Sequence, residues 1–291
     1  MSIASVRQRL KNFASSHPSS KHHALKEVAQ EIAIFGLSQT DFFKRAAFAG
    51  GTSLRMFWGL ERFSEDLDFS ALRPDSDFVW SPYLQQVQKT LGGYGFTVKI
   101  NDRSEGKKNA VKVAFLKDDS VGKVLTLDSA ALAKGGPPKT IKIKLEIDTN
   151  APAGSTCEQK YTSFPLLGAV TVHDLASLFA GKSHALLCRK WAKGRDWYDF
   201  LWYAASRAPL NYTMLSAALN QQGPWAGQKI VTDRKWYLQQ LEEKIYAVDW
   251  PAQVADVERF LKDSDKPQLK LWGTDLFLGR LKILESTLSL R

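Results

Sequence analysis

The chain has 291 residues, 44% of them hydrophobic and 24% charged, with a formal net charge of +10. That balance excludes a disordered chain, and no apolar run approaches the ~18 residues of a membrane span. Two cysteines, Cys157 and Cys188, exclude a disulfide framework and show no metal-ligand spacing, so the reducing cytoplasm is the expected compartment.

Residues 1–47 read as helices, and the opening stretch lacks the apolar core of a secretory signal. HHALKEVAQEIAIFGL sets Leu25, Val28, Ala29, Ile32 and Phe35 at helical spacing and predicts an end at Gly36. SQTDFFKRAAF predicts a second short helix, capped by Ser38 or Thr40. At Phe48 the character changes. AFAGG is an apolar entry into a glycine turn, TSLRMFWGL reads as a helix closed by Gly59, and SEDLDFSA alternates as a strand does. Residues 78–91 predict a helix. YGFTVKI, AVKVAFL and TIKIKLEID predict strands, and AKGGPPK a loop. From Thr171 the chain reads as helical, with breaks near NQQGPWAG, DWP and SDKPQ. The expected fold class is α+β, with N-terminal helices at 1–47, a mixed-sheet core at 48–165 and a helical domain at 166–291.

The strands carry the first candidate chemistry. Alternate side chains of a strand share a face, so Ser64, Asp66 and Asp68 point one way while Leu67 and Phe69 anchor the other. Two like charges so close call for a cation between them, and a hard divalent ion such as Mg²⁺ prefers carboxylate oxygens and substrate phosphates. In TIKIKLEID, Lys142, Lys144, Glu146 and Asp148 face away from Ile141, Ile143, Leu145 and Ile147. If the two strands are neighbours, a third carboxylate joins the pair, with Lys144 beside it to meet a phosphate or hold a carboxylate. The GGTS turn presents the backbone N–H groups of Gly51, Thr52 and Ser53, and the hydroxyls of the latter two, at a helix N-terminus, a natural anion site. Singly, these signals also fit solvated strand charges and ordinary turn chemistry. Their order, strand, glycine turn, helix and D-x-D strand, favours a site for a nucleotide and a metal. The net positive charge adds an anionic partner, nucleic acid first.

In the helical half, Lys182 lies on an apolar face with Leu175, Leu178, Phe179 and Leu186, where it either meets an anion or snorkels to water. Asp196 and Asp199 share a helix face at i, i+3. Asp196 is the first candidate for a functional polar contact and Asp199 the second; capping or a plain salt bridge is the alternative. Trp191, Trp197 and Trp202 fall among apolar helical positions and are expected in the core, whereas Trp225, Trp236, Trp250 and Trp272 suit either a core or base stacking.

GGTSLRMFWGLERFSEDLDF resembles the first motif of the DNA polymerase β-like nucleotidyltransferases, and more narrowly that of the AbiEii/AbiGii toxins of type IV toxin–antitoxin and abortive-infection systems. The matching residues are Gly50, Gly51, Thr52, Arg62, Ser64, Asp66, Leu67, Asp68 and Phe69. The family's K-x-D/E motif is matched by Lys144, Glu146 and Ile147; Asp148 is an extra acid that leaves the third ligand open, with Glu146 favoured. Its lysine in a D-L-x-x-x-F-A-x-K pattern corresponds to Lys182, and R-D-x-Y-D to Arg195, Asp196, Tyr198 and Asp199. The resemblance spans Phe48 to Tyr203. It implies a polymerase β-like core that transfers a nucleoside monophosphate from an NTP, with two Mg²⁺ ions held by Asp66, Asp68 and Glu146. It implies that Gly51, Thr52 and Ser53 cradle the triphosphate, with Ser64, Lys144 and Lys182 near the nucleotide and Asp196 orienting Lys182. The acceptor it implies is RNA, in particular the tRNA 3′ end, and a cognate antitoxin is the implied partner. The alternatives are a small-molecule or protein acceptor, or a non-catalytic RNA-binding protein on the same fold.

Overall fold

A computed structural model describes residues 2–16, 21–102, 120–129, 140–191 and 193–289. The predicted strand AVKVAFL and the loop AKGGPPK lie outside these residues. The chain divides into two units. The first takes residues 1–53, 63–151 and 158–172, and the second takes 54–62, 152–157 and 173–291.

The first unit is built on a seven-stranded mixed sheet. Its strands are β1 (Ala46–Ala49), β2 (Asp66–Ala71), β3 (Thr97–Asp102), β4 (Ser120–Asp128), β5 (Thr140–Asp148), β6 (Cys157–Tyr161) and β7 (Ala169–His173). Their order across the sheet is β3-β4-β5-β2-β1-β7-β6. Strand β2 runs antiparallel to β1 and parallel to β5 at the centre. The helices of this unit are α1 (Ile3–Ser16), α2 (Lys21–Ser38), the four-residue α3 (Phe42–Arg45) and α5 (Ser81–Gly93), while α4 (Gly50–Trp58) begins in it. Helix α2 buries the predicted stripe Leu25, Val28, Ala29, Ile32 and Phe35.

Several expectations change. Helix α2 does not stop at Gly36 but runs through it to Ser38. A Cβ on Gly36 would stand 3.2 Å from Val87 Cα and 3.3 Å from the Thr90 side chain, so this glycine lets two helices approach rather than ending one. Helix α3 is shorter than predicted, because Ala46 already enters β1. Strands β4, β6 and β7 carry no counterpart in the sequence reading, and β7 continues to His173 where helix was expected. A strand is set by its neighbours in the sheet, and five-residue strands such as β6 and β7 give too few alternations to stand out.

The second unit is helical: α6 (Leu175–Cys188), α7 (Gly194–Ala205), α8 (Tyr212–Gln221), α9 (Arg234–Tyr246), α10 (Trp250–Glu258), a 3₁₀ stretch (Asp263–Leu271) and α11 (Thr274–Ser289). Side-chain caps start four of these helices: Asp174, Asn211, Asp233 and Asp249 each accept a backbone N–H of the first turn. Trp197, Trp250, Trp272 and Phe277 interlock at ring centroid separations of 4.1–5.4 Å. Trp250 and Trp272 are thus core residues. Trp191 is not: it lies between α6 and α7, 78% exposed, because the apolar pattern that suggested a core position continues past the end of α6.

Candidate active site

In the first unit, the site grows from the turn between β1 and α4. Ala49, the last residue of β1, pairs with Asp68 across the antiparallel register. Gly50 then turns the chain with φ +73°, and a Cβ there would fall 2.5 Å from Asp68 Oδ2. Only glycine combines this left-handed backbone with so close an approach to a carboxylate. Helix α4 follows at once, and its first N–H groups have no acceptor within the helix. The Thr52 and Ser53 hydroxyls point into the fold. Thr52 Oγ1 donates to the Asp66 carbonyl and Ser53 Oγ to that of Phe48, and both residues are buried. What Gly51, Thr52 and Ser53 offer an anion is therefore backbone N–H rather than hydroxyl.

Strand β2 alternates as the sequence predicts. Leu67 and Phe69 are buried, while Asp66, Asp68 and Ser70 stay partly open. Burying those two apolar side chains contributes about 3–6 kcal/mol. Repulsion between two half-exposed carboxylates ~7 Å apart costs only about 1–2 kcal/mol. The apolar face wins, and the acids are held together on the other. Ser64 precedes the strand, which starts at Asp66, so it does not share a strand face with the aspartates. Its carbonyl accepts from Gln30 Nε2 at 3.3 Å, and Lys26 meets Glu65 at 3.3 Å, which ties the entry of β2 to α2.

Strand β5 lies beside β2 in parallel, with Asp66 opposite Lys144, Asp68 opposite Glu146 and Ser70 opposite Asp148. All four side chains at the first two positions are partly open. Lys144 forms an ion pair with Glu146 two residues along its own strand, so of its two expected roles it holds the carboxylate. Asp148 is buried, and its Oδ1 accepts the Asn150 N–H at 3.2 Å in the turn that closes β5. The register therefore favours Glu146 over Asp148 as the acid beside Asp68. Among the described residues, no three such side chains are already drawn into a cation cluster. The donor set still fits a hard divalent ion: three carboxylates on one sheet face, at adjacent register positions.

The second unit holds a buried charge network that links distant parts of the chain. Arg62 is 3% exposed and Asp199 is fully buried. Arg62 Nε and Nη2 donate to the two oxygens of Asp199, each at 2.6 Å, a bidentate pair across 137 residues. The loop bearing Arg62 is shaped by Arg55, which donates to the carbonyls of Leu60, Glu61 and Arg62. Lys182 reaches both Asp196 and Asp199 at 2.7 Å, and Arg189 donates to the other oxygen of Asp196. Burial pushes the Asp196 carboxyl upward, but the Lys182 and Arg189 charges outweigh it and hold the group far below the usual carboxylate range. Burial likewise opposes the Arg62 charge, and Asp199 overrides it. The apolar face of α6 thus carries Lys182 to anions that the fold itself supplies, from α7, where the residue pattern left open an anion or solvent and the resemblance implied Asp196 as its orienting partner. Arg62 and Arg189 were absent from the candidate roles. A buried arginine calls for a carboxylate, yet nothing in a single sequence pairs residue 62 with residue 199.

A family model described as nucleotidyl transferase AbiEii toxin, type IV toxin–antitoxin system, matches residues 32–277. No curated protein sequence matches the chain. Among solved structures, a candidate nucleotidyltransferase from Helicobacter pylori is 17% identical with a TM-score of 0.56, covering 93% of this chain and 97% of its own. JHP933 from Helicobacter pylori is 17% identical with a TM-score of 0.53, covering 93% and 94%. MenT4, a nucleotidyltransferase toxin of Mycobacterium tuberculosis, is 20% identical with a TM-score of 0.48 over 98% and 99%. The two Helicobacter likenesses bear on the fold.

Proposed function

We propose, since the chain belongs to the AbiEii family of nucleotidyl transferase toxins, that it moves a nucleoside monophosphate from an NTP onto a hydroxyl of RNA, at the tRNA 3′ end, with Mg²⁺ as its cation. The acceptor oxygen bonds to the α-phosphorus as the bond from that phosphorus to the pyrophosphate oxygen breaks, and pyrophosphate leaves. The carboxylates of Asp66, Asp68 and Glu146 are the groups this chain offers to the hydroxyl proton. The same three would hold Mg²⁺, which supplies charge neutralisation at the phosphates when bound. Gly51 and Thr52 present backbone N–H groups to the triphosphate at the start of α4. Lys144 orients Glu146 through their ion pair. Lys182 is the cation proposed to neutralise phosphate charge, and Asp196 the residue that orients it. The formal charge of +10 supports a polyanionic acceptor over a small neutral one.

The observation that carries this reading is the parallel register of β2 and β5, with Asp68 opposite Glu146 beside the Gly50 turn. Its test is Asp66→Asn and Asp68→Asn, read by Mg²⁺ titration calorimetry, by transfer and by melting without metal. Each variant should lose Mg²⁺ binding and transfer while its metal-free melting temperature holds or rises, because like-charge repulsion is relieved. A folded Asp66→Asn protein with wild-type Mg²⁺ affinity and turnover overturns the assignment.

A further inference from the structure

A single exposed aromatic ring is ordinary on a protein surface. Trp191 differs in its setting. Its ring is 78% exposed and Lys190 Nζ lies 5.7 Å from the ring centroid, a cation–π distance. Arg189, Lys190, Lys193 and Arg195 put four cations in seven positions, with no acid between Cys188 and Asp196. Two residues near Trp191 in the sequence make close contacts. Arg189 is tied to Asp196. Gly194 packs so tightly on α10 that a Cβ would fall 2.0 Å from the Gln253 carbonyl oxygen. Arg189 is engaged with Asp196, and Arg195 lies over the Phe260 ring at 4.3 Å. Lys190, over the ring, and Lys193, two positions further along the sequence, are both exposed.

An exposed ring with exposed lysines before and after it in the sequence is the make-up of a surface that stacks a nucleic-acid base and meets the phosphates around it. Paired bases hide their faces in the duplex stack; unpaired ones present them. We infer that Trp191 stacks an unpaired base of the acceptor RNA, with Lys190 and Lys193 against the flanking phosphates. This rests on the reading of RNA as the acceptor. It adds a contact that selects single-stranded over duplex RNA and reads no particular base, since every base has a face to stack.

The test compares wild type with Trp191→Ala, Trp191→Phe and the pair Lys190→Ala/Lys193→Ala. It uses a fluorescently labelled single-stranded RNA oligomer and the same sequence as a duplex, at fixed salt, together with separate KM values for RNA and NTP. Loss of one base stack should weaken single-strand binding about tenfold or more in Trp191→Ala and raise the KM for RNA by a similar factor. The KM for NTP, duplex binding and the melting temperature should stay at wild-type values, and Trp191→Phe should restore most of the loss. The lysine pair should lower the salt dependence of binding. If wild type binds single-stranded RNA and Trp191→Ala binds it equally well, the stacking role is wrong while the RNA acceptor stands. If wild type binds no RNA even at low salt, the acceptor reading and this inference fall together.

Discussion

Asp199→Asn should be among the most destabilising conservative changes in the helical unit. The carboxylate accepts from Arg62 at 2.6 Å through both oxygens and from Lys182 at 2.7 Å, and it is fully buried. An isosteric amide keeps the packing but leaves the Arg62 guanidinium, 3% exposed, without its carboxylate. Removing one partner of a buried pair costs about 3–5 kcal/mol, and two cations lose this anion, so the upper part of that range is expected. Arg62→Met is milder, near ~3 kcal/mol, because Asp199 keeps Lys182 and no charge is stranded. The double variant removes the pair together and should cost less than the sum of the two, with a coupling of about 1–3 kcal/mol. Urea unfolding followed by tryptophan fluorescence reads all three, since Trp197 is buried in the same helix as Asp199. A loss below ~1 kcal/mol for Asp199→Asn, or strict additivity in the double variant, would refute the network as a stabilising unit.

Lys182→Met should destabilise by about 1.5–3 kcal/mol, because charged hydrogen bonds to two buried carboxylates are lost; a more stable variant in the same urea assay contradicts the pairing. Gly50→Ala should cost about 1–2 kcal/mol for its left-handed backbone and also displace Asp68, abolishing transfer. Gly59→Ala, at φ +80° with nothing within 4 Å of its Cβ, should cost the same strain but keep transfer, and equal activities for the two variants would contradict this. The folded Asp196 carboxyl sits far below its ordinary value of 3.8, so its share of stability is full above that pH and declines as pH falls toward the folded value. The stability gap between wild type and Asp196→Asn should therefore shrink below about pH 4, and a gap constant from about pH 7 to 2 in acid titrations refutes that sign.

Where chemistry and periodicity coincide, the sequence was readable. DLDFSA and TIKIKLEID each alternate long enough to reveal which face is buried, and the acids fall on the other. The glycine turn was readable because Gly50 answers a backbone demand that few residues meet. The pairing of β2 with β5 was not, since strand order depends on which edges meet in the folded sheet. Arg62 with Asp199, and Lys182 with Asp199, escaped for the same reason: their partners come from elements that local spacing does not relate, whereas Lys182 with Asp196 was implied by the family resemblance. Trp191 misled because an apolar position counted along a helix loses its meaning once the helix has ended, here at Cys188. Hydroxyl residues misled in another way, for Thr52 and Ser53 look like phosphate donors in sequence but turn their hydroxyls to backbone carbonyls inside the fold.

The most direct measurement is incubation of the purified protein with each of four α-labelled NTPs, Mg²⁺ and total RNA, following both label in RNA and release of pyrophosphate. At least one NTP should label the RNA, with one pyrophosphate released per nucleotide added, and an Asp66→Asn/Asp68→Asn protein should do neither. RNA left unlabelled by all four NTPs, or labelled equally by the double variant, would contradict nucleotide transfer to RNA at these carboxylates.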